Sequence, residues 1–281
     1  MASANTTLYA WAAPAFVSGA PVDHTWVTDY DNRSVAHGNV GQVVAAGAHY
    51  WFCWGSFHST GGTPAIANGL LLSRKGNLPT AICLVLPNAD SRLAAPARGT
   101  IFSYGVDGVC HQLANQVLFA CGGSPPIVSS ARGYAASAFL YGDYGLQHSA
   151  WAAKIASCSA PRRSVAGGRR AAAGIARSTP MGPDMQDEFE KRAQAALGGS
   201  EPERLQRLLA LRERAQVGMR SMVAQRTGLD VEGLNARNQA VLNEAAQLLT
   251  AAQFQEIFGF APGEKINLVL ESEALRQIKK A

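Results

Sequence analysis

Residues 109–123 read VCHQLANQVLFACGG, and this stretch decides how the first half of the chain is interpreted. Apolar residues recur in it at the spacing of one helix face, which predicts a helix at about 109–121. A Gly-Val-Asp-Gly turn precedes the stretch, and two glycines end it. These glycines are the usual boundaries of a helix. The predicted helix therefore begins at a cysteine, Cys110.

A cysteine at a helix start is in a favourable position for nucleophilic chemistry. The backbone N–H groups and the positive end of the helix dipole stabilise a thiolate there, and the same N–H groups can hold an oxyanion. Of the other cysteines, Cys53 and Cys83 lie in predicted strands, Cys121 ends the helix, and Cys158 borders a linker. The odd total of five, with no CxxC pair, fits neither a disulfide scaffold nor a four-thiolate zinc site. We expect Cys110 to be the nucleophile, and the alternative is a helix cysteine buried in the core.

A thiolate nucleophile needs a base and a group that orients the base. His24 opens the predicted strand HTWVTDY, and His37 lies where the second strand of a hairpin would begin. His24 is therefore the expected base and His37 the orienting residue. His49 and His58 flank the aromatic segment HYWFCWGSFH and remain alternatives. His111 follows the nucleophile on the helix and points about 100° away, which makes it a poor base.

The order His24, His37 and then Cys110 at a helix start resembles the circularly permuted branch of the NlpC/P60 papain-like superfamily. Within that branch, the pattern is similar to the lecithin:retinol acyltransferase-like proteins. In those proteins an N-terminal strand carries the base, the next strand carries a second histidine, and a later helix begins with the nucleophilic cysteine. The resemblance covers about residues 20–125. It implies a papain-like antiparallel domain in which His24 is the base, His37 the orienter and Cys110 the nucleophile.

The distribution of charge divides the chain into two halves. The net charge of +5 equals the charge of residues 161–183, which contain five arginines and no acidic residue. This segment is also rich in glycine and proline and lacks hydrophobic periodicity, so it is typical of a flexible linker. We therefore expect a papain-like α+β domain at 1–160, a basic linker at 161–183 and a helical domain at 184–281.

The segment after the linker has the signals of several helices. Ser200 with Glu203 fits a capping box, Asp230 can cap a second helix, and Thr250 with Gln253 fits another box. The apolar residues there form stripes opposite charged faces, as in helices that pack on neighbours. The predicted fold class is α+β: an antiparallel β domain with a nucleophile-bearing helix, followed by a mostly α-helical module.

These patterns predict a cysteine-dependent hydrolase or acyltransferase that attacks an amide, isopeptide or ester carbonyl through a thioester. The alternative is a non-enzymatic binding or structural subunit with Cys110 buried. No cofactor or metal is expected, because the chain has no GxxxxGK[ST], strand-borne GxGxxG or HExxH motif. A protein or peptide substrate or partner is expected, with assembly through the helical module, whereas nucleic acid is not, because the excess positive charge lies in the linker.

The N-terminal segment and the apolar runs bear on localisation. Residues 1–20 contain no lysine or arginine, so the basic region of a secretory signal is missing. No run of 18 or more apolar residues occurs, which argues against a membrane span. We therefore expect a cytoplasmic protein, although export by another route stays open.

Overall fold

A computed structural model of the chain shows a mixed, mostly helical fold with a small antiparallel sheet. The structure describes residues 5–14, 22–29, 50–51, 81–90, 105–122, 128–147, 187–225 and 230–269. Its strands are β1 (Thr6–Pro14), β2 (Asp23–Thr28), the short β3 (Tyr50–Trp51) and β4 (Ala81–Ala89). The helices in these ranges are α1 (Cys110–Gly122), α2 (Tyr134–Tyr141), α3 (Glu188–Leu197), α4 (Pro202–Gln225), α5 (Val231–Leu248) and α6 (Ala251–Phe258).

The sheet is built around β1, which pairs antiparallel with β2 on one side and β4 on the other. The strand order is β3-β2-β1-β4. Trp11 of β1 lies opposite Trp26 of β2, and its indole Nε1 donates to Thr28 Oγ1 at 2.8 Å. The sequence patterns did not predict β1, because Leu8, Ala10, Trp11 and Ala12 are all buried and the strict alternation that marks a half-buried strand is missing.

Helix α1 lies between the sheet and α2, and its residues 110–121 are all buried. Its C-terminal end approaches β4 so closely that a Cβ at Gly122 would overlap the Leu86 side chain. The helix begins at Cys110, so the prediction of a helix at about 109–121 is confirmed. A helix that is buried all round can carry polar residues only if they find hydrogen-bond partners inside the protein.

The second half is helical, and two of its three predicted caps are confirmed. Asp230 accepts from Gly233 N at the start of α5, and Thr250 with Gln253 forms a capping box at the start of α6. The predicted box at Ser200 is displaced by one residue. Pro202 is the first residue of α4 and Leu205 N donates to Glu201 O, so Glu201 holds the cap position.

Helix α2 joins the two halves of the chain through an aromatic cluster. Phe139 contacts the ring of Phe189 from α3 at a centroid distance of 4.8 Å and the ring of Phe258 from α6 at 5.5 Å. All three rings are buried. Apolar residues of the sheet, α1, α2 and the second-half helices belong to one buried cluster.

Arg212 of α4 links the same elements through polar contacts. Its guanidinium donates to the carbonyl oxygens of Ala138 and Phe139, both at 3.2 Å, in the last turn of α2. The guanidinium also pairs with Glu190 at 2.7 Å and with Asp187. Only 7% of Arg212 is exposed. The last carbonyls of a helix need donors from beyond it. Arg212 supplies such donors from the other half of the chain, in addition to Gly142 N–H at Ala138 O and Gln216 Nε2 at Phe139 O.

The structure bears out the expected mixture of an antiparallel sheet with helices, and the helical character of the second half. The papain-like detail of the first half remains a proposal. The predicted linker at 161–183 lies outside the described residues, so the division into domains at 1–160 and 184–281 stays a prediction.

We predict that Arg212→Met lowers the free energy of unfolding by about 3 kcal/mol or more, because Asp187 and Glu190 lose the cation that pairs with them and two buried carbonyls each lose a donor. Arg214→Met on the same helix is the matched control. Arg214 pairs with Glu244 in the open, where 71% and 52% of the two side chains are exposed, so its loss should cost less than about 1 kcal/mol. Urea unfolding measures both, and equal losses would contradict the structural role of Arg212.

Candidate functional site

Cys110 is the first residue of α1, at the end of a tight turn. Gly105 begins the turn with a φ of 84°, a conformation that glycine adopts without strain, and its N–H donates to Gly108 O at 2.8 Å. The N–H of Val109 is bound by the Gln112 side chain at 3.1 Å, which closes the helix start. The Cys110 thiol is in no disulfide, and 1% of the residue is exposed.

His111 ties the start of α1 to the start of β2. Its Nε2 lies 2.9 Å from the backbone oxygen of Asp23, and its Nδ1 lies 2.8 Å from Ser137 Oγ on α2. A carbonyl oxygen can only accept, so Nε2 carries the ring proton, and Nδ1 and the Tyr134 carbonyl oxygen are two acceptors around the one proton of the Ser137 hydroxyl. Burial lowers the pKa of His111 to about 4, although the bond to Asp23 opposes the shift. His111 is therefore a neutral, fully engaged side chain rather than a base.

Asp23 is itself held in place by Arg132 in the segment before α2. Its carboxylate accepts from the backbone N–H of Arg132 at 3.0 Å and from the guanidinium Nε at 2.9 Å. The Asp23 N–H in turn donates to Arg132 O at 3.0 Å. These bonds fix the first residue of β2, so the bond from His111 holds α1 to a rigid point of the sheet.

The predicted base lies next to this point. The backbone of His24 follows Asp23 in β2 and pairs with Ala13. The side chain of His24 and the whole of His37, His49 and His58 lie outside the part of the chain that is described. Cys110 and the backbone of His24 are therefore the members of the predicted triad that can be located, and each is adjacent in sequence to one end of the His111–Asp23 bond.

A stripe of uncharged polar residues runs along α1 on the side of α2. Besides His111 it contains Gln112, Asn115 and Gln116, and their amide nitrogens donate to the backbone oxygens of Gly142, Asp143 and Tyr144, respectively, at 2.6–2.9 Å. The loop after α2 is thus bound to α1 by three side chains. This stripe satisfies the polar groups of a helix that has no exposed face.

Asp143 connects this loop to the second half. Its carboxylate accepts from the Tyr134 hydroxyl at 2.6 Å and from the backbone N–H of Glu188, the first residue of α3, at 3.1 Å. Burial raises the pKa of Asp143 to about 6, and the nearby charge of Asp187 adds to the shift. The hydrogen bonds from Tyr134 and Glu188 oppose it.

A cavity of about 500 Å³ lies where the loop after α2 meets α3 and α4. Tyr141, Asp187, Arg212 and Gln216 line it, and Cys110 is not among its lining residues. Within the described ranges, no group of three or more histidine, cysteine or acidic side chains could hold a metal ion. Of the helices in those ranges, none combines the length and apolar character that crossing a membrane requires.

Sequence reasoning missed Asp23, Arg132 and Ser137, the groups that position the helix start. Their partners lie between 26 and 109 residues away along the chain. The polar stripe on α1 left a local signal, because uncharged polar residues recur there at helical spacing among apolar ones.

The ionisation of His111 predicts a loss of stability on acidification. The pKa of His111 falls from 6.5 to about 4 on folding, because the folded state favours the neutral ring. The stability that this preference contributes is fully present above pH 6.5 and is lost as the pH falls toward 4. The loss approaches about 3 kcal/mol. Urea unfolding between pH 7 and pH 4 measures this loss, and it should be absent in His111→Gln. A variant whose free energy of unfolding falls with acid as in the parent chain would contradict the view that His111 is buried and neutral.

Asp143→Asn tests a pH dependence of stability that has the opposite sign to that of His111. The pKa of Asp143 rises from 3.8 to about 6 on folding, so its contribution is complete below pH 3.8 and is lost as the pH rises through 6. Relative to the parent chain, Asp143→Asn should therefore lose the stabilisation that acid gives, by up to about 3 kcal/mol. Both variants changing the profile in the same direction would contradict this account.

Comparisons with protein-family models, curated proteins and solved structures found no match to this chain.

Proposed function

We propose that this chain is a cysteine-dependent hydrolase or acyltransferase that acts on an amide, isopeptide or ester carbonyl. The hydrogen bond of 2.9 Å between His111 Nε2 and Asp23 O is the observation that carries the proposal. Cys110 directly precedes His111, and His24 directly follows Asp23. The bond thus holds the first turn of α1 next to the strand that contains the expected base, which supports a pairing of Cys110 with His24.

The start of α1 also suits a developing negative charge. The helix has 13 residues, and the N–H groups at the start of a helix carry a partial positive charge. They favour a thiolate over a thiol at Cys110 and an oxyanion over a neutral carbonyl. No lysine, arginine, aspartate or glutamate lies in α1 itself, and the nearest acidic residue in the sequence is the buried Asp107 in the turn before it.

The mechanism that follows is a double displacement at the carbonyl carbon. His24 takes the proton from Cys110 Sγ, and the thiolate attacks the carbonyl carbon. The tetrahedral intermediate collapses to a thioester as the C–N or C–O bond breaks, and His24 returns the proton to the departing amine or alcohol. Water or a second nucleophile then attacks the thioester with His24 as base, and the thiol is regenerated. His37 is the proposed orienting residue.

One observation favours a second candidate function, a non-enzymatic structural subunit. Only 1% of Cys110 is exposed, and every residue of α1 from 110 to 121 is buried. A cysteine in such a position packs as a small hydrophobic residue in many proteins. In this alternative the polar stripe and the His111–Asp23 bond serve the fold alone.

Thiol labelling separates the two functions. We predict that iodoacetamide modifies Cys110 at least about tenfold faster than Cys121 at pH 7, because the helix start stabilises the thiolate of Cys110. Cys121 is the internal control, since it lies at the other end of α1, only 4% of it is exposed, and burial raises the pKa of its thiol. Mass spectrometry of digested protein gives both rates. Equal rates would support the structural subunit and contradict the enzyme.

The role of His24 has a separate test. His24→Ala should slow the acylation of Cys110 by p-nitrophenyl acetate about a hundredfold, the usual contribution of a positioned base. His49→Ala and His58→Ala are the controls and should leave the rate near that of the parent chain. If one of these controls slows acylation and His24→Ala does not, the assignment of the base is wrong.

A further inference from the structure

The turn that leads into Cys110 is packed against the second half of the chain. A Cβ on Gly105 would lie 2.6 Å from Val269 Cγ1 and 3.1 Å from Leu234 Cδ1. Leu234 belongs to α5, and Val269 follows α6. The backbone of the turn is therefore in van der Waals contact with the helical half, and no larger residue fits at Gly105.

A chain of hydrogen bonds joins the same turn to α5. The Tyr141 hydroxyl, at the end of α2, donates to Gly105 O at 2.8 Å. Asn238 Nδ2 of α5 donates to the Tyr141 oxygen at 3.0 Å. Tyr141 is 1% exposed and Asn238 is fully buried. The path Asn238–Tyr141–Gly105 thus runs from the helical half, through α2, to the residue where the turn begins.

Asn238 is a polar residue at a buried position where an apolar residue would be expected if stability alone mattered. Within the described residues its Oδ1 atom is buried without a hydrogen-bond partner, and a buried polar atom of this kind is unfavourable. An apolar residue of the same size would avoid that cost. The bond to Tyr141 is the interaction that only a donor at this position supplies.

We propose that the helical half positions the nucleophile: Asn238 and Tyr141 hold the turn at Gly105, and the turn sets where α1 and Cys110 begin. This inference rests on the proposed function and adds its regulation, because the thiol is competent only while the helical half is docked on α2. The stabilising field of a helix start acts over its first turn alone. A displacement of about 1 Å at a reacting group can cost about a hundredfold in rate.

The test measures alkylation of Cys110 by iodoacetamide against pH in full-length Asn238→Leu and Tyr141→Phe. Both variants should move the midpoint of the labelling profile to higher pH and reduce the rate at pH 7 about tenfold or more. Asn243→Leu is the matched control, since it makes the same change on α5 at an exposed residue whose bond is to Gln239. Its profile should equal that of the parent chain.

Unfolding in urea, recorded on the same samples, separates positioning from folding. Asn238→Leu should remain as stable as the parent chain, because it removes the unpaired Oδ1, and still show the shifted profile. Parent-like profiles in both variants would overturn this inference and leave the proposed function standing. If Cys110 of the parent chain reacts no faster than Cys121, the proposed function fails and this inference fails with it.

Discussion

Complete burial of the short helix α2 is the constraint on which the rest of the structure depends. All eight of its residues are buried, and a helix of this length has little stability of its own. Its last carbonyls accept from Arg212 and Gln216 of α4. Its Phe139 ring lies among aromatic rings of α3 and α6. Because these partners come from beyond residue 187, the helix can be buried only when both halves of the chain surround it.

The same helix sets the geometry of the candidate site. Ser137 binds the ring of His111, Tyr134 binds Asn115, and Tyr141 binds the turn before Cys110. Three hydroxyl groups of α2 therefore hold the first two turns of α1 and the turn that leads into it. These bonds are made in a buried environment, where an unpaired partner is costly, so they restrict α1 to one position. The position of the Cys110 thiol therefore depends on the side chains of α2.

The features that sequence predicted are those with local causes. The start of α1 at Cys110 follows from a glycine-containing turn and helical spacing, and the caps at Asp230 and Thr250 follow from side chains that bind N–H groups three residues on. The expectation that His111 is not the base rested on helix geometry, and its ring is engaged elsewhere. The bond that holds His111 to Asp23 spans 88 residues, and no local pattern encodes such a pairing. Strand β1 was missed for a related reason, since the burial of its consecutive residues Ala10, Trp11 and Ala12 is decided by tertiary packing.

The most direct test of this account asks whether the two halves share one core. A recognition sequence for a site-specific protease, inserted between Ala171 and Ala172, allows the chain to be cut within the basic segment. After cleavage, the two pieces should elute together in native size-exclusion chromatography and separate only in denaturant, because α2 is packed on helices from the other piece. Two pieces that elute apart, and whose circular dichroism spectra add up to the spectrum of the intact protein, would contradict the account.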